Sequence, residues 1–197
     1  MPFPDEAAEA LVVVEYRPSW PTDFARLASV LRDALGDLAV AVDHVGSTSV
    51  PGLAAKDCVD VQVRVDTLDE PRLVPALTAI GFRLRPEPWN HSEVSAGHHC
   101  PKLVLAPRPG ARRCNVHLRE DGRPNARYAL LFRDYLRANG TAREAWGAFK
   151  QRLALSVPAR LADYGQIKAP ATDVLMEGAE RWAAETGWEA ATGWEAR

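Results

Sequence analysis

His44-Val45-Gly46-Ser47-Thr48-Ser49-Val50-Pro51-Gly52-Leu53-Ala54-Ala55-Lys56, followed by Asp57 and then by Cys58-Val59-Asp60-Val61-Gln62-Val63-Arg64-Val65, decides how this 197-residue chain folds. The second part alternates strictly. Val59, Val61, Val63 and Val65 face one way and Cys58, Asp60, Gln62 and Arg64 the other, the period-two pattern of a strand with one apolar and one polar side. The first part ends an apolar run, Leu38 to Val45, that reads as a buried strand, and then breaks into small residues. Glycine lets a backbone approach an anion, and a Ser hydroxyl beside consecutive backbone N–H groups can donate to phosphate oxygens. A Gly-Ser turn alone is ordinary; one followed 13 residues later by Asp60 on a strand is more specific.

Upstream, residues 1–10 read as a disordered tail and Leu11 to Glu15 as a short strand. Ser19 or Thr22 caps a helix to about Leu35, with Phe24, Leu27, Ala28, Leu31 and Leu35 on one face. Downstream, a helix is expected over about Glu70 to Ile80, stopped by Gly81. Residues 82–110 hold five prolines, and Lys102 to Ala106 is their best strand. Arg112 to Arg119 alternates again, Cys114, Val116 and Leu118 against Arg113, Asn115, His117 and Arg119. If this strand neighbours the first, Asp60 and Gln62 lie beside Asn115 and His117 on one side of a sheet. That side either faces water, as antiparallel sheets often do, or floors a polar cleft.

The remainder, about 123–185, is helical. Tyr128, Leu131, Phe132, Tyr135 and Leu136 form a stripe ending at Asn139-Gly140. Thr141 and Glu144 read as a capping box for the next helix, which buries Trp146, Phe149 and Leu153. Pro158 and Pro170 punctuate the last helical stretch, and Thr186 to Ala190 recurs as Thr192 to Ala196 in a tail over 186–197. The order of elements is α+β: a mixed sheet and a helical C-terminal extension, in a single domain over 11–185.

Composition narrows the function classes. Apolar residues at 47% and charged residues at 25% are those of a globular chain. Twenty-four basic against 26 acidic side chains, net charge −2, argue against a chain-wide nucleic-acid footprint, and no basic stretch interleaves aromatics for base stacking. No apolar run is long enough for a membrane span, the start lacks a signal-peptide pattern, and three cysteines suggest free thiols; a soluble cytoplasmic protein is expected. The basic residues are 20 Arg and only four Lys: Lys56, Lys102, Lys150 and Lys168. Since the two are not equivalent at phosphate sites, each lysine is a weak functional candidate. His98, His99, Cys100, Cys114 and His117 imitate a zinc set, but their spacing fits no finger pattern and strand parity turns Cys114 away from His117. Ser47 and Ser49 lack the Gly-x-Ser-x-Gly context of a hydrolase nucleophile. Trp20 and Trp146 are expected in the core.

The 44–56 motif with Asp60-Val61 resembles the signature of the GrpB-like proteins of the nucleotidyltransferase superfamily. The resemblance covers most of the chain, through Val14-Glu15-Tyr16, Trp20-Pro21, Asn115-Val116-His117, Leu131-Phe132-Arg133-Asp134-Tyr135-Leu136-Arg137, Lys150, Tyr164 and Lys168. It implies a nucleotidyltransferase-like mixed-sheet core, related to a domain fused to dephospho-CoA kinase in some bacteria. By this resemblance Gly46 and Ser47, with Thr48, would contact phosphate. The superfamily's catalytic strand carries two carboxylates one residue apart that hold Mg²⁺ or Mn²⁺. Asp60 matches the second, and Cys58, a poor ligand for a hard cation, stands at the first. Asp57, where the family more often has proline, falls on the opposite face. His117 stands at a later carboxylate position, so Asp60 and His117 are the implied catalytic and metal-binding pair.

Lys56, Arg133 and Lys150 are expected to converge on a phosphate, with an Arg133–Asp134 ion pair and a solvated Lys150 as the alternatives. His44 is expected to be structural. The ligand is a nucleotide or another phosphorylated small molecule. Two functions fit: metal-dependent nucleotidyl transfer, or a catalytically silent binding or folding-assistance module.

Overall fold

The alternation at 58–65 and 112–119 produces two neighbouring strands whose apolar sides share one core. The structure is a computed structural model and describes residues 3, 11–156 and 161–191. Its strands are β1 (Ala41–Val45), β2 (Val59–Val65), β3 (Phe82–Leu84), β4 (Ser92–Ser95), β5 (His98–Pro101), β6 (Leu103–Pro107) and β7 (Cys114–Glu120). The helices are α1 (Trp20–Leu35), α2 (Glu70–Ala79), α3 (Pro124–Ala138), α4 (Gly140–Ser156) and α5 (Leu161–Thr186). Five strands form a mixed sheet in the order β1-β2-β7-β6-β3, in which β2 and β7 run parallel and the other pairs antiparallel. A parallel pair needs a crossover, which α2, β3 and β6 supply here. β4 and β5 form a separate hairpin. The expected α+β mixed sheet with a helical C-terminal part is what the chain forms. Among the described residues no helix is long and apolar enough to cross a membrane.

On one side of the sheet Val59, Val61, Val63, Val116 and Leu118 pack with Leu31 and Leu35 of α1 and Leu73 and Leu77 of α2. The other side is neither apolar nor open to water: α3 lies across β1, β2 and β7, and α4 and α5 pack on α3. Gln62 and Arg64 there are 0% and 2% exposed. Buried polar groups are tolerated only when bonded. Arg64 donates to Asp43 at 2.9 Å and to Asp121 at 2.6 Å, while Gln62 donates to the Ala126 carbonyl at 3.3 Å and accepts from Arg119 at 3.0 Å. A second apolar cluster joins Val50 and Leu53, from the loop after β1, to Leu131, Leu136, Trp146 and Met176 of the three C-terminal helices.

Several boundaries differ from expectation. Leu11 to Glu15 forms one bridge, Val14 to Ala55, rather than a strand. Leu38 belongs to a short 3₁₀ turn, so β1 begins at Ala41. The cap of α4 is Asn139, whose side chain accepts from the Ala142 N–H at 2.9 Å, and Thr141 lies inside the helix. Pro170 sits within α5 rather than ending it. The β4–β5 hairpin was hidden in the proline-rich segment because its strands are short and polar. Trp188 of the first Thr-Gly-Trp-Glu-Ala copy donates to Asp134 at 3.2 Å and packs beside Trp182. The expectations for the 1–10 tail, Pro158 and the second copy fall outside the described residues, Phe3 apart. Trp20 and Trp146 are core residues.

Leu131 is fully buried where α3 meets the loop residues Val50 and Leu53. Leu131→Ala is expected to lower unfolding free energy by about 2–5 kcal/mol, read from urea melts, through lost burial and the cavity left behind.

Candidate functional site

The β1–β2 register sets Val45 opposite Asp60, so the chain leaving β1 turns directly against the Asp60 side chain. Gly46 makes that turn at φ 67°, where a Cβ would collide with the Asp60 carboxylate and lie 2.9 Å from Asp60 Cβ. Both the conformation and the close approach demand glycine. Ser47–Ser49 then form one 3₁₀ turn, closed by Ser49 Oγ donating to the Gly46 carbonyl at 2.6 Å. Thr48 Oγ1 and His44 Nε2 are bonded at 3.0 Å, and the His44 ring stacks on Phe24 at 4.6 Å. Burial pushes His44 down to about 4, so it is a neutral structural side chain at physiological pH.

The β2–β7 register sets Asp60 beside Asn115 and Gln62 beside His117, the neighbourhood that the alternation implied. Asn115 Nδ2 donates to Asp60 Oδ1 at 2.9 Å and reaches Cys58 Sγ at 3.5 Å. His117 Nε2 lies 3.9 Å from Asp60 Oδ1, and its buried Nδ1 has no hydrogen-bond partner among the described residues. Burial would raise the Asp60 carboxyl, but His117, Asn115 and Lys56 outweigh it and hold it at about 2. Burial lowers His117, against the pull of Asp60.

Lys150 reaches this loop from α4. Its ammonium donates to Ser47 Oγ at 2.8 Å and to the Ala54 carbonyl at 2.5 Å, with the residue only 2% exposed. Burial, and then Lys168 and Lys56, bring it down to about 7 despite Asp60. Burial and Lys56 likewise lower Lys168 on α5. Lys56 Nζ sits 5.4 Å from the Tyr164 ring centroid, a cation–π arrangement that positions the amine. Farther along, Glu93 of the hairpin accepts from Lys102 and from Arg119, both at 2.8 Å, and these cations hold it at about 2 against the desolvation that would raise it.

These groups surround one open cleft of about 590 Å³. All four lysines of the chain line it, whereas Arg119 is the one arginine among its described lining residues. Five cations there face three carboxylates, Asp60, Glu93 and Asp173.

Of the residues expected at the site, Gly46, Ser47, Thr48, Lys56, Asp60, His117 and Lys150 all line this cleft. Arg133 does not join them. Its guanidinium is held by the adjacent Asp134, at 2.6 and 3.1 Å, and donates to the His44 carbonyl at 3.3 Å, because a carboxylate one residue away satisfies it locally. Asn115 and Arg119, on the polar face of the 112–119 strand, line it as well, as do Lys102 and Lys168, and Glu93 enters from the unexpected hairpin. For the two lysines the signal was present, since they are half of the lysines in an arginine-rich chain.

The residues present do not fit a hard divalent cation. Mg²⁺ and Mn²⁺ call for several oxygen ligands. Here Asp60 supplies one carboxylate and His117 one imidazole, a poor pair for a hard cation, and burial followed by Asp60 itself pushes the Cys58 thiol up to about 12, so it stays protonated. Asp57 is committed elsewhere, accepting from Trp20 at 2.8 Å and from Arg112 and Arg17 at 2.5 Å. Among the described residues no group of three or more His, Cys, Asp or Glu is placed to hold a metal, the His98-His99-Cys100 segment included.

A Gly-Ser turn over a strand aspartate, walled by lysines on a mixed sheet, has relatives. The GrpB protein family model matches residues 10–177, and the chain belongs to the GrpB family. It is 34% identical over 173 residues to the UPF0157 protein BH1888 of Halalkalibacterium halodurans, covering 86% of this chain and 83% of that one. It is 36% identical over 185 residues to the dephospho-CoA kinase of Mycobacterium tuberculosis, covering 84% of this chain but 45% of that one, so it spans less than half the length of that relative. The crystal structure of conserved protein GrpB from Enterococcus faecalis overlays with a TM-score of 0.72 at 29% identity, covering 90% of this chain and all of that one. A looser overlay, TM-score 0.48 at 17% identity, covers 70% of this chain and 42% of Cid1 in complex with its short product ApU.

Gly46→Ala is expected to destabilise the protein more than Gly52→Ala in parallel urea melts. Both glycines have positive φ, but a Cβ at 52 meets nothing closer than Arg143 at 3.8 Å. Stability is also expected to fall with acid from pH 6.5 to about 4, the unfolded and folded values of His44, because the unfolded chain binds the proton first. His44→Phe should remove that part of the slope, worth on the order of 3 kcal/mol.

Proposed function

We propose that this protein binds a nucleotide or another phosphorylated small molecule, with a phosphate at the Gly46-Ser47 turn. The observation that carries this reading is the convergence of every lysine in the chain on one cleft beside that turn. Ammonium groups are strong phosphate donors, and Lys150 is already held against Ser47 Oγ. The turn adds backbone N–H groups, Lys56 and Lys168 add charge from the loop and α5, and Asp60 remains an acceptor for a donor group elsewhere on the ligand.

A donor set of one carboxylate, one imidazole and a protonated thiol favours binding over metal-dependent nucleotidyl transfer. The silent-module reading is thus the closer companion of this proposal, and the transfer reading stands second. The relation to dephospho-CoA kinases adds CoA precursors to the ligands worth testing.

Thermal melting with nucleoside mono-, di- and triphosphates and phosphorylated CoA precursors, with and without Mg²⁺ or Mn²⁺, tests the proposal. A compound at 100 times its Kd adds roughly 2.7 kcal/mol, a shift of several degrees. Lys150→Met and Ser47→Ala should abolish the shift, and Arg133→Ala, outside the cleft, should keep it. A shift that needs metal and disappears in Asp60→Ala would favour the transfer reading instead. No shift with any compound overturns both.

A further inference from the structure

We infer that the cleft takes its ligand as a free phosphate anion, with the chain's own ammonium groups standing where a divalent cation would bridge a metal–phosphate complex. The inference rests on the cleft being a phosphate site and specifies what species enters it. Charge is the first argument. The chain as a whole carries −2, yet the groups around the cleft, five basic side chains against three carboxylates, leave it net positive, by up to two charges once Lys150 is fully protonated. A phosphomonoester near neutral pH carries about −1.5 to −2 and would neutralise that excess. A metal–phosphate complex arrives with that charge already partly cancelled and adds a cation beside Lys56, Lys150 and Lys168.

Donor geometry is the second argument. An ammonium has three N–H donors. Lys150 uses two, on Ser47 Oγ and the Ala54 carbonyl, which aim it at the turn and leave one for a ligand oxygen. The nearest candidate ligand for a metal, Asp60, already accepts from Asn115 and has His117 at 3.9 Å on the same oxygen. At Cys58, one strand repeat away on the same face, Asn115 again points its amide at the sulfur. The polar side of β2 is therefore arranged to receive N–H groups, and the opposing wall supplies ammonium groups. Proton uptake is the third argument. Lys150 is only partly charged near neutral pH, so an arriving anion draws a proton onto it, which a metal-bound phosphate does less well.

Calorimetric titration of the full chain with ADP, ATP and inorganic tripolyphosphate, in buffer with EDTA and again with MgCl₂, decides the matter. The expected result is binding in EDTA that stays equal or weakens when Mg²⁺ is added. Lys168→Met and Lys56→Met, both at partly exposed positions, should each weaken the EDTA affinity roughly ten-fold or more. Binding that appears only with Mg²⁺, or strengthens ten-fold with it, overturns the inference while leaving the phosphate reading in place. Lysine variants that bind like the parent also overturn it. Absence of binding in both buffers overturns the phosphate reading and this inference together.

Discussion

The side chain of Asp60 occupies the space in which any residue but glycine at position 46 would place its Cβ. That contact arises from a pairing register, Val45 against Asp60, and it fixes where the loop after β1 runs. With the turn seated on the carboxylate, Ser47 faces α4 and meets Lys150, and the next residues descend to Val50 and Leu53 in the helical core. A loop between two strands would ordinarily be among the more mobile parts of a fold. Here it is clamped by a strand on one side and by three helices on the other, so the groups it presents are organised before any ligand arrives. Pre-organisation of this kind lowers the ordering cost of binding.

The sheet has an uncommon second face. Instead of alternating apolar-in and polar-out, β2 and β7 place Gln62, Arg64 and Arg119 beneath a helical layer, each with partners among Asp43, Asp121, Glu93 and the Ala126 carbonyl. Buried ion pairs are weak evidence for stability but expensive to disrupt from one side. Their effect is to make the layer beneath the helices a bonded network rather than a yielding apolar surface, and Arg119 and Glu93 carry that network to the cleft. The β4–β5 hairpin enters this network through Glu93, which is also how a small separate hairpin is docked to the main sheet.

Much of this was legible in the sequence where period and chemistry agreed. The two alternating runs implied neighbouring strands, and their partners are those that the parity suggested: Asp60 with Asn115 and Gln62 with His117. Glycine at 46 announced a tight turn, and the structure makes that turn against Asp60. What escaped was information carried by distance in space. Arg133 had two expected places, the cleft or an ion pair with Asp134, and spacing alone does not choose between them; the neighbouring Asp134 captures it. Lys168 lies more than a hundred residues beyond the loop it faces, and only the packing of α5 on α3 and α4 brings it there. The hairpin at 92–101 has neither apolar alternation nor length, so it carried no strand signal at all. The α4 boundary moved because Asn139 can cap the helix as well as stop the previous one.

Gathering every lysine side chain of the chain into one cleft has a practical consequence. Amine-directed chemistry, whether reductive methylation, acylation or an isotope-labelled tag, modifies lysine and leaves the twenty arginines untouched. On most proteins such reagents decorate the whole surface and report on nothing in particular. On this one the lysine signal comes from a single location, graded from the partly exposed Lys56 and Lys168 to the enclosed Lys150. The lysine modification pattern, read by mass, therefore reports on that one location without a mutation being introduced.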